Sequence, residues 1–197
     1  MFMAAEEPNV VAALVALCKK YEIKTLVQVG AEDGFEAEEI RKATECRAIC
    51  VEPDPKCGPV SFDLEWHEVL IGGQNSVEKF YLNNVSGLSS QVFRGDSQEI
   101  VVEMPQIRLD AFCRKHEIKP DALIVDTEGT TMDVLVGCGS LLEFMKLIYC
   151  EVQLDEARGL RGQAMEVDAY LTERGFKRSM ELPTYAAGGQ ANWTFIR

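Results

Sequence analysis

"LVQVGAEDGFEAEEI", Leu26 to Ile40, is the stretch on which the reading of this chain turns. An apolar strand ends at Gly30, two acids follow, and Gly34 opens a segment, Phe35 to Thr44, with helical spacing. A glycine turn between a strand and a helix is where α/β sheets bring backbone close to a ligand. The two glycines are four apart, so the pattern is G-x-x-x-G and not the dinucleotide pattern G-x-G-x-x-G. Glu32 stands where the dinucleotide pattern has its second glycine. A carboxylate held against a pyrophosphate there would be unfavourable by roughly 4 kcal/mol at about 4 Å, with an effective dielectric near ~20. A phosphate-free, positively charged ligand fits better. S-adenosylmethionine is one: its ammonium and sulfonium tolerate acids, and its carboxylate could take backbone N–H groups near Phe35. The same residues would also serve a plain strand-to-helix turn with acids in the first helical turn.

Two further strand ends carry acids. Glu52 lies 22 residues after Gly30, at the end of "CRAICVEP", where an acid accepts ribose hydroxyls in α/β nucleotide sites. "DALIVDTEGT" sets Asp126 and Glu128 just past an apolar run, beside Gly129. These carboxylates could hold a cation or accept a proton from a substrate hydroxyl, or serve simply as helix caps.

Composition narrows the classes. The chain has 197 residues, 47% hydrophobic and 26% charged, which describes one globular domain with a sizeable core. Its formal net charge of −12 makes nucleic acid and anionic membrane poor partners. The longest apolar run, Val10 to Cys18, is too short to span a bilayer and lacks the marks of a secretory signal. Seven scattered cysteines without a C-x-x-C pair, and only two histidines, argue against a zinc site or a disulfide framework. The expectation is reduced, buried thiols in a cytoplasmic protein with no metal.

Along the chain, "PNVVAALVALCKKYEI" reads as an amphipathic helix within an N-terminal segment, residues 1–24, packed on the core. "TLVQVG" and "CRAICVEP" read as the first two strands, with the helix "FEAEEIRKAT" between them. "HEVLIGG" reads as a third strand, and "EKFYLN" with "SSQVF" as an exposed pair turning at Gly87. Strand, helix and strand continue through "IVVEMPQIRLDAFCRKHEI" and "DALIVDTEG", then the weaker helix "TMDVLVGCGSLLEF" and the strand "KLIYCEVQ". The helix "AMEVDAYLTERG", stopped by Gly175, precedes a closing pair, "FKRSMEL" and "NWTFIR". Alternating strands and helices predict an α/β fold, a mostly parallel sheet with helices on both faces and a late antiparallel hairpin. His67 and His116 read as surface residues. Asn83, Asn84, Ser89 and Ser90 form a polar loop that would close over a ligand or merely turn a hairpin.

With these residues in view, the sequence resembles the FkbM family of S-adenosylmethionine-dependent methyltransferases from about Leu26 to Val152. The resemblance rests on "VQVGAEDG", "VEPDP", the serine-rich "SGLSS" and "RLDAFCRKHEIKPDALIVDTEGTTMDVLVG" leading to "LIYCEVQ". It implies a Rossmann-like, seven-stranded class I methyltransferase sheet forming one domain over residues 1–197, and methyl transfer to a hydroxyl of a sugar or natural-product-like acceptor. It also implies that Gly30, Ala31, Glu32, Gly34, Phe35, Glu52, Pro53, Ser90 and Asp126 bind the cofactor. Asp126 and Glu128 are the expected catalytic pair, and a homo-oligomer is possible within this reading. Three positions depart from the family pattern: Gln28 replaces an acid, Ile124 a lysine and Thr131 a glutamate. Two other readings compete: a cofactor-binding module without turnover, which these losses would suit, and a nicotinamide oxidoreductase, which Glu32 disfavours.

Overall fold

The computed structural model describes residues 10–61, 63–83, 89–92, 100–154, 163–181, 186–187 and 189–197. The elements run α1 (Val10–Lys20), β1 (Thr25–Val29), α2 (Phe35–Thr44), β2 (Arg47–Val51), β3 (Glu65–His67), β4 (Leu70–Gly72) and β5 (Ser76–Leu82). They continue with β6 (Ile100–Arg108), α3 (Leu109–Lys115), β7 (Ala122–Val125), α4 (Thr131–Cys138) and a 3-10 turn (Gly139–Glu143). The chain closes with β8 (Leu147–Gln153), α5 (Gln163–Glu173), β9 (Lys177–Ser179), β10 (Ala186–Ala187) and β11 (Gln190–Ile196).

The main sheet has the order β3-β2-β1-β7-β8-β11, and its first five strands are parallel. β11 lies antiparallel to β8. The position beyond β11 is filled twice: β9 pairs with Thr194–Ile196 and β10 with Gln190 and Ala191, both antiparallel. This is the expected mostly parallel seven-position sheet with a late hairpin. The central strands are apolar on both faces because both faces are covered. Val27, Val29, Leu123 and Val125 pack with α3, α4 and α5, while Leu26, Ala122 and Ile124 pack with Leu14, Leu17 and Cys18 of α1 and with Ala37 and Ile40 of α2. Among the described residues no helix is long and apolar enough to cross a membrane. All seven cysteines are unpaired, and six of them are buried.

The structure corrects the segment after β2. The strand expected over "HEVLIGG" is shorter: its first residue, His67, ends β3 of the main sheet, and Leu70–Gly72 form β4, which pairs in parallel with β6 in a second, three-stranded sheet. β5, expected to pair with "SSQVF", runs antiparallel to β6 along its whole length and meets Ser90 only through a bridge at Tyr81. The turn expected at Gly87, with Asn84, lies outside the described residues. The helix expected over "TMDVLVGCGSLLEF" stops at Cys138, because Gly139 takes φ +51° and the chain tightens into the 3-10 turn. His67 and His116 are not solvated singly. Their rings meet at 4.6 Å between centroids, and both pack against Phe112.

Helix α4 packs closely on the second sheet. A Cβ at Gly137 in α4 would overlap the Gly72 carbonyl oxygen of β4. Glycine in a helix interior ordinarily costs up to about 1 kcal/mol against alanine. Overpacking against backbone costs more, about 1–3 kcal/mol. Gly137→Ala is therefore expected to destabilise the protein despite its better helix propensity, lowering the thermal midpoint by several degrees in a melting experiment.

Candidate functional site

The C-terminal ends of β1, β2 and β7, the flank of β8 and the start of α1 enclose a cleft of about 330 Å³. Its geometry begins with the first glycine turn. Gly30 takes φ +74° and donates its N–H to Val51 O, while Asp126 N–H donates to Val29 O. A side chain at Gly30 would overlap the Asp126 carbonyl, so the two strand ends can meet only because this residue has none. Glu32, also at positive φ, donates its backbone N–H to Glu52 Oε2 at 3.0 Å. Glu52 Oε1 accepts the Asp54 N–H at 2.9 Å. Both Glu52 oxygens are thus oriented by backbone donors, and each retains a lone pair for a further donor. Burial pushes the Glu52 carboxyl above the usual range, and the two N–H donors oppose that rise.

Of the residues expected to bind a cofactor, Gly30, Ala31, Glu32, Glu52, Pro53 and Asp126 line the cleft, together with Glu128. Gly34, Phe35 and Ser90 do not. Gly34 is packed beneath Leu64 and Cys50, where it lets α2 approach the sheet. The Phe35 side chain is 50% exposed and its N–H is taken by Asp33 Oδ1, so it is not offered to a ligand. Ser90 turns its hydroxyl to Val92 O, and its neighbour Ser89 faces the cleft, donating to Asp54 Oδ2 at 2.5 Å. A period-two strand pattern does not decide which of two adjacent serines points inward when the pairing partner is unknown.

Sequence reasoning missed several lining residues. Leu70, Ile71 and Phe80 form an apolar wall near Glu52, and Val10, Val11, Ile124 and Tyr149 form another under α1. The carboxylates between these walls dominate the electrostatics. Glu32, Glu36, Glu52, Asp54, Asp126 and Glu128 all line the cleft, and no lysine, arginine or histidine does so among the described residues. The Asp126 side chain is exposed at the cleft, with Glu128, Glu36, Glu32 and Glu52 around it. Desolvation first, then Glu128, Glu36, Glu32 and Glu52, raise its carboxyl from 3.8 to about 7. Thr127 Oγ1, also at the cleft wall, is buried with no hydrogen-bond partner among the described residues. Asp126, Glu128 and Glu151 each offer an oxygen within 4.8 Å of the others, a spacing able to hold a cation or a ligand ammonium. The Gln190 and Gln153 amides already donate to Glu151, and Gln190 also reaches Glu128.

The sequence profile of the methyltransferase FkbM domain matches residues 28–178. The chain belongs to this family. Solved methyltransferases share its fold: an O-methyltransferase from Bacillus cereus in complex with SAH superposes with a TM-score of 0.54 at 9% identity, covering 98% of this chain and 83% of that one. The SAH-bound methyltransferase PaMTH1 of Podospora anserina gives 0.53 at 11% identity, over 98% and 79% of the two chains. A chain described as a ribosomal RNA methyltransferase from Plasmodium falciparum gives 0.54 at 12% identity, over 96% of each. No curated protein sequence matches the chain. The sheet is thus the Rossmann-like class I methyltransferase sheet.

Placed in the FkbM fold, two of the three departures turn out to be neighbours. Gln28 and Ile124 are register partners on β1 and β7, with side chains on the same face. Gln28 is buried, donates Nε2 to Glu36 Oε2 and accepts the Ala37 N–H at Oε1. An acid at position 28 would have no proton to offer Glu36 and would repel it, so the amide matches this cleft. Ile124 beside it needs no charge partner. Thr131 donates its hydroxyl to Glu151 O at 2.7 Å, fixing the start of α4 against β8.

Proposed function

We propose that the protein is an S-adenosylmethionine-dependent methyltransferase that methylates a hydroxyl oxygen, acting as one domain over residues 1–197. The observation that carries this reading is the cleft of six carboxylates with no basic residue among the described residues, at the strand ends where class I sheets bind their cofactor. Such a site repels phosphates and attracts a cation. When bound, S-adenosylmethionine supplies an electrophilic methyl on a sulfonium. Glu52, already oriented by Glu32 and Asp54 N–H groups, would accept the ribose hydroxyls, with the adenine against Leu70, Ile71 and Phe80. The orphaned Thr127 hydroxyl is a further donor for the cofactor. Asp126 and Glu128 face the region beyond Gly30, where they would favour positive charge, and Asp126 is poised to accept the acceptor's proton. Alignment rather than strong acid–base help would supply most of the rate.

Calorimetry with S-adenosylmethionine and with NAD tests this. S-adenosylmethionine is expected to bind and NAD is not. Glu52→Ala, which removes a charged hydrogen-bonding group, is expected to weaken binding about 10- to 100-fold. NAD binding without S-adenosylmethionine binding would overturn the proposal. Tight cofactor binding with no methyl transferred to any acceptor in a cell extract would favour a module without turnover.

A further inference from the structure

Among the described residues, Gln91 alone borders both the cleft and a second cavity of about 350 Å³, which Gln74 and Gln106 line. Its amide is held from the second-cavity side. Gln91 Nε2 donates to Gln106 Oε1 at 2.7 Å, and Gln106 Nε2 donates to the Gln74 carbonyl at 3.1 Å. A backbone carbonyl can only accept, so this relay has one direction. Gln106 must turn its Nε2 to Gln74, its Oε1 must then accept, and Gln91 must donate. Gln106 is buried on β6 beside its register partner Leu70, part of the apolar cleft wall, so the relay ends where that wall begins. With Nε2 held toward Gln106, the Oε1 edge of the Gln91 amide is the one left for the cleft. No hydrogen bond among the described residues ends on Gln91 Oε1.

We propose that Gln91 is the residue that selects adenine as the cofactor's base. Its Oε1 accepts from the exocyclic amine, and its second Nε2 hydrogen donates to the adjoining ring nitrogen, a pairing that a glutamine amide makes with adenine edge-on. The ring lies against Leu70, Ile71 and Phe80. This rests on the S-adenosylmethionine reading and assigns the base specificity of that site. A freely turning amide would not discriminate. Hypoxanthine has a carbonyl where adenine has the amine, and an amide that exchanged its oxygen and nitrogen edges would pair with it equally well. The relay forbids the exchange. A turned Gln91 would set Oε1 against Gln106 Oε1, two acceptors with no proton between them, and the Nε2 hydrogen bond would be lost. Selectivity thus comes from the fixed direction of the Gln74–Gln106–Gln91 chain, which leaves a carbonyl oxygen facing an acceptor whenever the base lacks its amine.

The test titrates the full chain with S-adenosylhomocysteine and with S-inosylhomocysteine, which differs only in carrying hypoxanthine for adenine, and reads both by calorimetry. The adenosyl compound is expected to bind about 10- to 100-fold more tightly, the worth of one two-bond amide contact to a base. Gln91→Leu, at a half-buried position, is expected to weaken the adenosyl compound about tenfold and to bring the two affinities within about threefold of each other. Gln106→Met, which keeps Gln91 but frees its amide to turn, is expected to tighten binding of the inosyl compound, a gain that mere loosening of the fold would not produce. If the two compounds bind the wild type equally, if Gln91→Leu keeps the wild-type preference, or if Gln106→Met brings no gain for the inosyl compound, the proposal falls while the cofactor reading stands. If S-adenosylhomocysteine itself does not bind the wild type, the cofactor reading falls and takes this proposal with it.

Discussion

Gly30→Ala is expected to abolish cofactor binding and to lower the melting temperature by ten degrees or more, or to prevent folding. Two effects add. The alanine Cβ would occupy the space of the Asp126 carbonyl oxygen, which is backbone and cannot swing aside. The residue also sits at φ +74°, where a side chain costs about 1–2 kcal/mol by itself. Relief of the clash would have to part β1 from β7 at their ends, breaking the Asp126 N–H bond to Val29 O. A total of about 4 kcal/mol or more would shift the midpoint by roughly 8–16 °C in a chain of this size. Circular dichroism melts and a titration with S-adenosylhomocysteine measure both consequences. Gly34→Ala makes a useful contrast, because its neighbours are the Leu64 and Cys50 side chains, which can give, and it does not line the cleft. A Gly30→Ala protein with wild-type stability and affinity would show that the glycine turn is not what joins the two strand ends.

Asp126→Asn is expected to lower methyl transfer by about 10²- to 10⁴-fold, the usual worth of a positioned general base, while making the folded protein more stable at high pH. The sign follows from the raised pKa. The folded carboxyl titrates at about 7 and the unfolded one at its ordinary 3.8, so the native state holds a proton that the unfolded chain has lost. Stability contributed by this group therefore falls as pH rises from about 4 to about 7, and the full deficit persists above that. Asparagine is neutral throughout and carries no such deficit. The variant should melt with the wild type near pH 4 and above it near pH 8. Wild-type turnover should rise with pH through about 7 as Asp126 ionises, and the variant should lose that rise. Unchanged turnover in Asp126→Asn with cofactor still bound would remove the base assignment.

Much of the main sheet was legible because its signals are local. The runs at Leu26–Val29, Ala122–Val125 and Leu147–Val152, interrupted by Gln28 and Glu151, carry apolar residues on both faces of the strand, and both faces are indeed covered. The acids at Glu32, Glu52, Asp126 and Glu128 were legible as a group because parallel strands end on one edge, so residues just past three strands must converge. What failed was pairing. Nothing between Glu65 and Gly72 announces that β3 and β4 belong to different sheets, because that division is made by Gln106–Arg108 of β6, 36 residues beyond their partners in β4.

The sequence by itself determined the α/β class, the parallel core and the acid character of the cleft, since periodicity, glycine positions and charge are properties of neighbouring residues. Only the tertiary structure decided which side chains enter the cleft. Ser89 rather than Ser90 faces it, Phe35 is turned outward with its N–H already used, and Val10, Val11 and Tyr149, far apart in the chain, build a common wall. Side-chain direction and the removal of solvent depend on contacts across the sheet and from α1. The same convergence of strand ends gathers Glu128, Glu36, Glu32 and Glu52 around Asp126, which raises its carboxyl above the usual range.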